Sequence, residues 1–233
     1  MTERHTSDRI IAFSDGVVAI AITVLLLPLA ELDTKDGQVL TMLSENSQLL
    51  WGLTLTWVII AVFWFAHHRM FDRIAAVDRV VLWLNFAWLF AIALLPLPTN
   101  IVVQNAPSAQ VTGFYIGWMA LISIIMMGIV RYSQRTPGIL RDDFAGSESA
   151  RSAMIRTSLI SGVFVFAFLV ALVLPSIATY VLLLMFFVDP LAARLAARAA
   201  PDDRRSRTDP GVTHCDPAGW WGHLPGIPDR GRR

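Results

Sequence analysis

Arg9-Ile10-Ile11-Ala12-Phe13-Ser14-Asp15-Gly16 continues without a break into the apolar run of residues 17–29. At a rise of about 1.5 Å per residue, a helix over this stretch crosses the ~30 Å hydrocarbon core of a bilayer. A serine and a carboxylate therefore sit about two turns inside a membrane-spanning helix. An unpaired charge at such depth costs at least ~3 kcal/mol on insertion scales. Polar groups kept there serve a purpose, structural or functional.

The composition makes the same case for the whole chain. Hydrophobic residues are 55% and charged residues 16% of the 233, with a mean hydropathy of +0.56. An ordinary soluble domain carries about a quarter charged residues, so the pattern is that of an all-α integral membrane protein. Six runs are long enough to span: 10–30, 49–67, 80–98, 111–130, 157–174 and 177–193. The last two are separated by Pro175-Ser176, which supplies a tight turn. The first run follows a charged segment, lacks a small-residue cleavage site and reads as a span, not a cleaved leader. Cys215 is the single cysteine, which excludes an internal disulfide framework.

Basic residues set the orientation. With the N-terminus in the cytoplasm, Arg4, Arg9, the Arg69/Arg73/Arg79 loop, the loop from Arg131 to Arg156 and the Arg-rich tail share one side. Of 19 Lys and Arg, only Lys35 falls opposite, in an acidic 31–48 loop, while the 100–110 loop has no charge. Such asymmetry demands an even number of spans and places both termini in the cytoplasm. The expected organisation is a six-helix membrane domain over residues 1–200 and a polar, Pro/Gly/Arg-rich tail over 201–233, read as disordered. His214, Cys215 and His223 in that tail lack the paired spacing of a zinc site, and Trp220-Trp221 reads as an interfacial anchor.

Inside the spans, Asp15 lies six residues beyond Arg9, Asn85 lies six beyond Arg79, and His67 ends the second run. All three sit about 10 Å from the cytoplasmic boundary by helical rise, so Ser14, Asp15, His67 and Asn85 fall at a common depth. The plain role of such a cluster is to hold helices together; the sharper one is a proton relay or ion site using Asp15 and His67. Helical angles separate two faces of the first span. Phe13, Gly16, Val24 and Leu27 fall within about 40° of Ile20, and Thr23 within about 60°. Ser14 and Asp15 point well away. The apolar stripe meets either lipid or a symmetric axis lined by several copies, where aliphatic rings form a narrow constriction.

The motif Arg9-x-x-x-Phe13-Ser14-Asp15-Gly16, followed by Val17-Val18-Ala19-Ile20-Ala21-Ile22-Thr23, resembles the signature of the prokaryotic branch of the transmembrane protein 175 family of potassium channels. Phe63-Trp64-Phe65-Ala66-His67-His68-Arg69 and the third run, from Leu84-Asn85 to Leu94-Leu95-Pro96-Leu97-Pro98-Thr99, are similar to that family too. The likeness covers about the first hundred residues. It implies a six-span subunit of a homotetramer in the cell membrane, with the first helix lining a central pore for permeating potassium. Ile20 matches the main constriction, Thr23 a pore-facing hydroxyl layer and Leu27 a further hydrophobic layer, with Val24 on the same face. Arg9, Ser14, Asp15, Trp64, His67 and Asn85 would brace the pore helix. No Thr-Val-Gly-Tyr-Gly filter is present, so selectivity over sodium is expected to be modest. No cofactor, no resident metal and no nucleic-acid partner are expected.

Two other classes compete. A proton-coupled secondary transporter would titrate Asp15 and His67, although paired inverted halves are not apparent. A membrane enzyme would use His67, His68 and Asp72, but their spacing fits no hydrolase or metal motif. His68, Arg69 and Asp72 read more simply as a solvated helix end.

Overall fold

The computed structural model describes residues 2–32, 37–188 and 194, and side chains are discussed within 9–32 and 37–185 and at Val188. The described chain is helical. Its one β-type contact among the described residues is an isolated antiparallel bridge, Ile74 to Leu140. Five helical stretches are long and apolar enough to cross a membrane: Arg9–Ala30, Ser47–Phe71, Arg79–Gln104, Ala109–Arg135 and Glu148–Val173. They match the first five expected spans. The sixth is shorter within the described residues, an apolar helix over Pro175–Met185. Residues 189–193, the far end of that expected span, and the tail with His214, Cys215, Trp220, Trp221 and His223 lie outside the described residues, as does Lys35.

Prolines divide two of the spans. The first consists of α1 (Thr2–Leu25) and α2 (Leu27–Ala30), with Pro28 in the first turn of α2. Pro28 has no N–H to offer a carbonyl one turn back, and Leu26 N instead closes onto Thr23 O at 3.2 Å. The uniform rotation assumed from Ile10 to Ala30 therefore stops at Leu25. A short helix, α3 (Val39–Glu45), occupies part of the loop that sequence left unassigned, and α4 (Ser47–Phe71) is continuous. The third span is α5 (Arg79–Ala93) followed by α6 (Pro96–Gln104), broken where Pro96 enters. The helix thus runs past its expected end at Pro98. After α7 (Ala109–Arg135) and α8 (Glu148–Val173), Leu174 turns the chain, and α9 (Pro175–Val181) passes into a 3-10 helix, Leu182–Phe187.

The helices of the middle begin at side-chain caps. Asp78, Ser108 and Ser147 accept from the amides of Val81 (2.8 Å), Val111 (3.2 Å) and Ala150 (3.2 Å). α7 is the centre of the bundle, with α8 along its length and α5 beside it. Gly113 and Gly117, one turn apart, allow the ring of Phe168 to approach: a Cβ on Gly117 would lie 3.2 Å from it. That is the small-x-x-x-small device of membrane helix pairs. α1 packs on α4 and α5 at the edge. Its apolar window is 22% buried against 56% for α7, so most of its surface is left for something outside the chain.

The loop before α5 is fixed on both sides. Ala75 N donates to Ile139 O at 2.7 Å and Arg141 N to Arg73 O at 3.0 Å, clipping it to the loop that follows α7. Tyr132 Oη of α7 donates to Asp78 Oδ2 at 2.5 Å. Desolvation acts to raise the Asp78 carboxyl, but the hydrogen bonds from Tyr132 and from the Val81 and Val80 amides outweigh it and hold the group below its ordinary value. A depressed folded-state value stabilises the fold above the unfolded carboxylate range, and that contribution is lost as pH falls through it. Asp78→Ala is expected to cost about 1 kcal/mol at neutral pH. In detergent melting curves its deficit against the unsubstituted protein should shrink below about pH 4.

Candidate functional site

The two faces of α1 differ in what covers them. Ser14, Val18, Ala21 and Leu25, spaced by four, three and four residues, form its buried stripe against the bundle. On the other face Phe13, Ile20, Val24 and Leu27 are 55%, 65%, 47% and 60% exposed in the single chain. Thr23 is exposed among them. Its hydroxyl donates to Ile20 O at 2.8 Å, which directs the proton into the helix and leaves oxygen lone pairs outward for water or a cation. Leu27 lies beyond the Leu26 break and, with Val24, Pro28 and Glu31, faces Asn100 and Gln104 of α6 across a cavity of about 320 Å³.

Behind the buried stripe runs a chain of hydrogen bonds across three helices. His67 of α4 and Asn85 of α5 meet at 2.7 Å between Nε2 and Oδ1. A carbonyl oxygen only accepts, so His67 carries its proton on Nε2. Asn85 Nδ2 then donates to Ser14 Oγ of α1 at 3.2 Å. All three residues are buried. The imidazole is held flat between Phe71 and Trp88, each with its ring centre 4.3 Å away.

Asp15 belongs to a separate branch. It accepts from Trp64 Nε1 at 2.7 Å, and His68 Nδ1 lies 3.9 Å from the same oxygen. Ser14, His67 and Asn85 are therefore joined as the common depth suggested, while Asp15 and His67 have different partners and no hydrogen bond between them. Arg9 is exposed and bonds to no other described residue. His68, read from sequence as part of a solvated helix end, is half-buried beside Asp15 and 3.7 Å from Asp72. Sequence reasoning missed a second buried polar group, in which Thr56 Oγ1 lies 2.8 Å from Tyr115 Oη and accepts from Thr99 Oγ1 at 3.5 Å. The signal was Tyr115 itself, since a phenol inside an apolar span must find a partner. Among the described residues no three His, Cys, Asp or Glu side chains gather as metal ligands.

A family model described as "Endosomal/lysosomal potassium channel TMEM175" matches residues 9–96, the part of the chain that holds both α1 faces and the brace. A potassium channel of Chamaesiphon minutus is 32% identical over 145 residues, covering 59% of this chain and 71% of that protein. This chain belongs to the TMEM175 family. A potassium channel of Streptomyces collinus is 29% identical over 161 residues, 66% of this chain and 77% of the relative. The chicken endosomal/lysosomal proton channel TMEM175 is 31% identical over 150 residues, which is 29% of its length. The crystal structure of a lysosomal potassium-selective channel TMEM175 homolog from Chamaesiphon minutus superposes with a TM-score of 0.65 at 22% identity. It covers 84% of this chain and 100% of that one, a likeness of fold. The family is one of ion channels, not an enzyme class, and this chain shares its ion-channel and multi-pass membrane character.

Removing the central amide tests the brace. Asn85→Leu leaves the His67 Nε2–H and Ser14 without partners in hydrocarbon, and should cost about 1–3 kcal/mol. Ser14→Ala removes only the longer bond and should cost less, near the ~0.6 kcal/mol average for such contacts in membranes. Thermal unfolding in detergent, with folded yield by gel filtration, measures the order; an Asn85→Leu protein as stable as the unsubstituted one refutes it.

Proposed function

We propose that this TMEM175 protein is a passive, potassium-selective channel of the cell membrane whose pore is lined by α1 of several copies. Residues 1–200 supply the channel domain, and 201–233 its cytoplasmic tail. Ile20 forms the main constriction, Leu27 a second hydrophobic ring, and Thr23 a hydroxyl layer between them, with Val24 beside it. Arg9, Ser14, Asp15, Trp64, His67 and Asn85 make up the structural set around the pore helix. A homotetramer is the assembly the family resemblance favours.

The observation that carries this proposal is the division of α1. Ser14, Val18, Ala21 and Leu25 are turned into the bundle, and the stripe through Ile20, Thr23, Val24 and Leu27 is left uncovered. A stripe with a hydroxyl at its centre suits a water-accessible axis better than hydrocarbon. Rings of aliphatic side chains narrow such an axis and gate it by dewetting. Potassium sheds water more readily than sodium, and Thr23 oxygens replace part of what is lost. With no carbonyl cage the preference is modest.

A proton-coupled transporter using Asp15 and His67 has less support, because each group is held by its own partner. The animal relatives are described as proton channels, so proton flux belongs in the same assay. Purified protein in liposomes should pass K⁺ in excess of Na⁺ under an imposed potential, without a pH gradient. Ile20→Asn should raise flux several-fold and move the K⁺/Na⁺ ratio toward one, since an amide wets the ring. Unchanged selectivity removes Ile20 as the constriction, and saturable flux that needs a pH gradient favours the transporter.

A further inference from the structure

Two concavities meet on the side of the bundle where α4 and α8 touch through Phe63 and Phe164, and the proposed pore uses neither. The first, about 230 Å³, lies at the Arg-rich end and is lined by Arg69, Arg73 and Arg156 with Ser149, Ser152 and Thr157. No carboxylate is among its described lining residues. The second, about 180 Å³, is an apolar groove lined by Leu55, Val58 and Val62 of α4, with Ile160, Leu182 and Met185 opposite. Arg69 and Arg156 line both, so the basic cavity and the apolar groove are adjacent.

Two of the arginines are held in ways that leave donors for a ligand. Arg69 Nε donates to Phe65 O at 3.2 Å, which fixes the stem and leaves its Nη groups. The Arg73 guanidinium lies over the Phe144 ring at 4.3 Å, a contact through its face that leaves its N–H edge. Planar guanidinium forks match phosphate oxygens. From Arg69 to Leu55 the groove follows α4 for about 20 Å by helical rise, against ~15 Å for one leaflet of the hydrocarbon core. A soluble phosphate compound would fill only the first cavity.

We propose that this is a site for an anionic phospholipid, with the headgroup phosphate on Arg69 and Arg73 and one acyl chain along the Leu55–Met185 groove. Basic pockets between spans on the cytoplasmic side recognise lipid headgroups in this way. A zwitterionic lipid would bring its own cation beside the Arg69 and Arg73 guanidinium groups and is disfavoured.

Native mass spectrometry of the delipidated full-length protein, exposed to equal phosphatidylglycerol and phosphatidylcholine of matched chains, is the test. Phosphatidylglycerol should be retained in several-fold excess. The pair Arg69→Gln and Arg73→Gln should reduce that retention several-fold, and Val58→Trp should do so by filling the groove while leaving all three arginines. Long-chain phosphatidylglycerol should raise the melting temperature, and inorganic phosphate should not. Equal retention of both lipids, equal protection by inorganic phosphate, or undiminished retention in the Val58→Trp protein overturns the proposal.

Discussion

The side-chain amide of Asn85 joins three helices. Its oxygen accepts a hydrogen bond from His67 Nε2–H on α4, and its nitrogen donates to Ser14 on α1. Inside a bilayer no water replaces either partner, so the three helices satisfy these groups only in one mutual rotation. Aromatic rings above and below His67 remove the remaining freedom of that donor. The orientation of α1 follows from that constraint. Once Ser14 is turned inward, Val18, Ala21 and Leu25 share its face, and Ile20, Val24 and Thr23 are carried to the opposite one.

The rotation matters because α1 is otherwise loosely held. It lies at the edge of the bundle, on α4 and α5 with a smaller contact to α6, while α7 at the centre is the best-buried span. An edge helix with an apolar inner stripe alone could roll by a residue at little cost, as lipid and protein interiors are similarly apolar. The polar contacts with Asn85 and Trp64 give it a register. A surface that must meet a symmetry axis needs such a register, since a roll of about 100° would replace Ile20 by its neighbour.

Much of this was legible in the chain, because charge and amide groups at membrane depth are rare enough to stand out. Ser14, His67 and Asn85 were brought together from depth alone, and the division of α1 from angles alone. Depth did not resolve partners, so Asp15 was grouped with His67, whereas its bond goes to Trp64 and its charged neighbour is His68. Pro98 was read as the end of the third span, and Pro28 and Pro96 were passed over inside the runs 10–30 and 80–98. Pro28 and Pro96 instead occupy first turns of short continuing helices, where a missing N–H is harmless, and the third span runs on to Gln104. α3 escaped notice because seven residues without a cap or a buried side chain leave no periodic signal. Thr56, Tyr115 and Thr99 come from three distant segments, and no local pattern joins them.

The proposed channel requires one face of α1 to border water while the brace seals the other. Cys215 is the single native cysteine, so Cys215→Ser gives a background in which one introduced thiol reports on its own surroundings. Block of K⁺ current by a small, membrane-impermeant thiol reagent would be measured with Ile20→Cys, Thr23→Cys and Leu27→Cys, and with Val18→Cys, Ala21→Cys and Leu25→Cys. Block is expected in the first set and absent in the second. Equal block in both sets, or block confined to positions 18, 21 and 25, would contradict the assignment of the pore to the uncovered stripe.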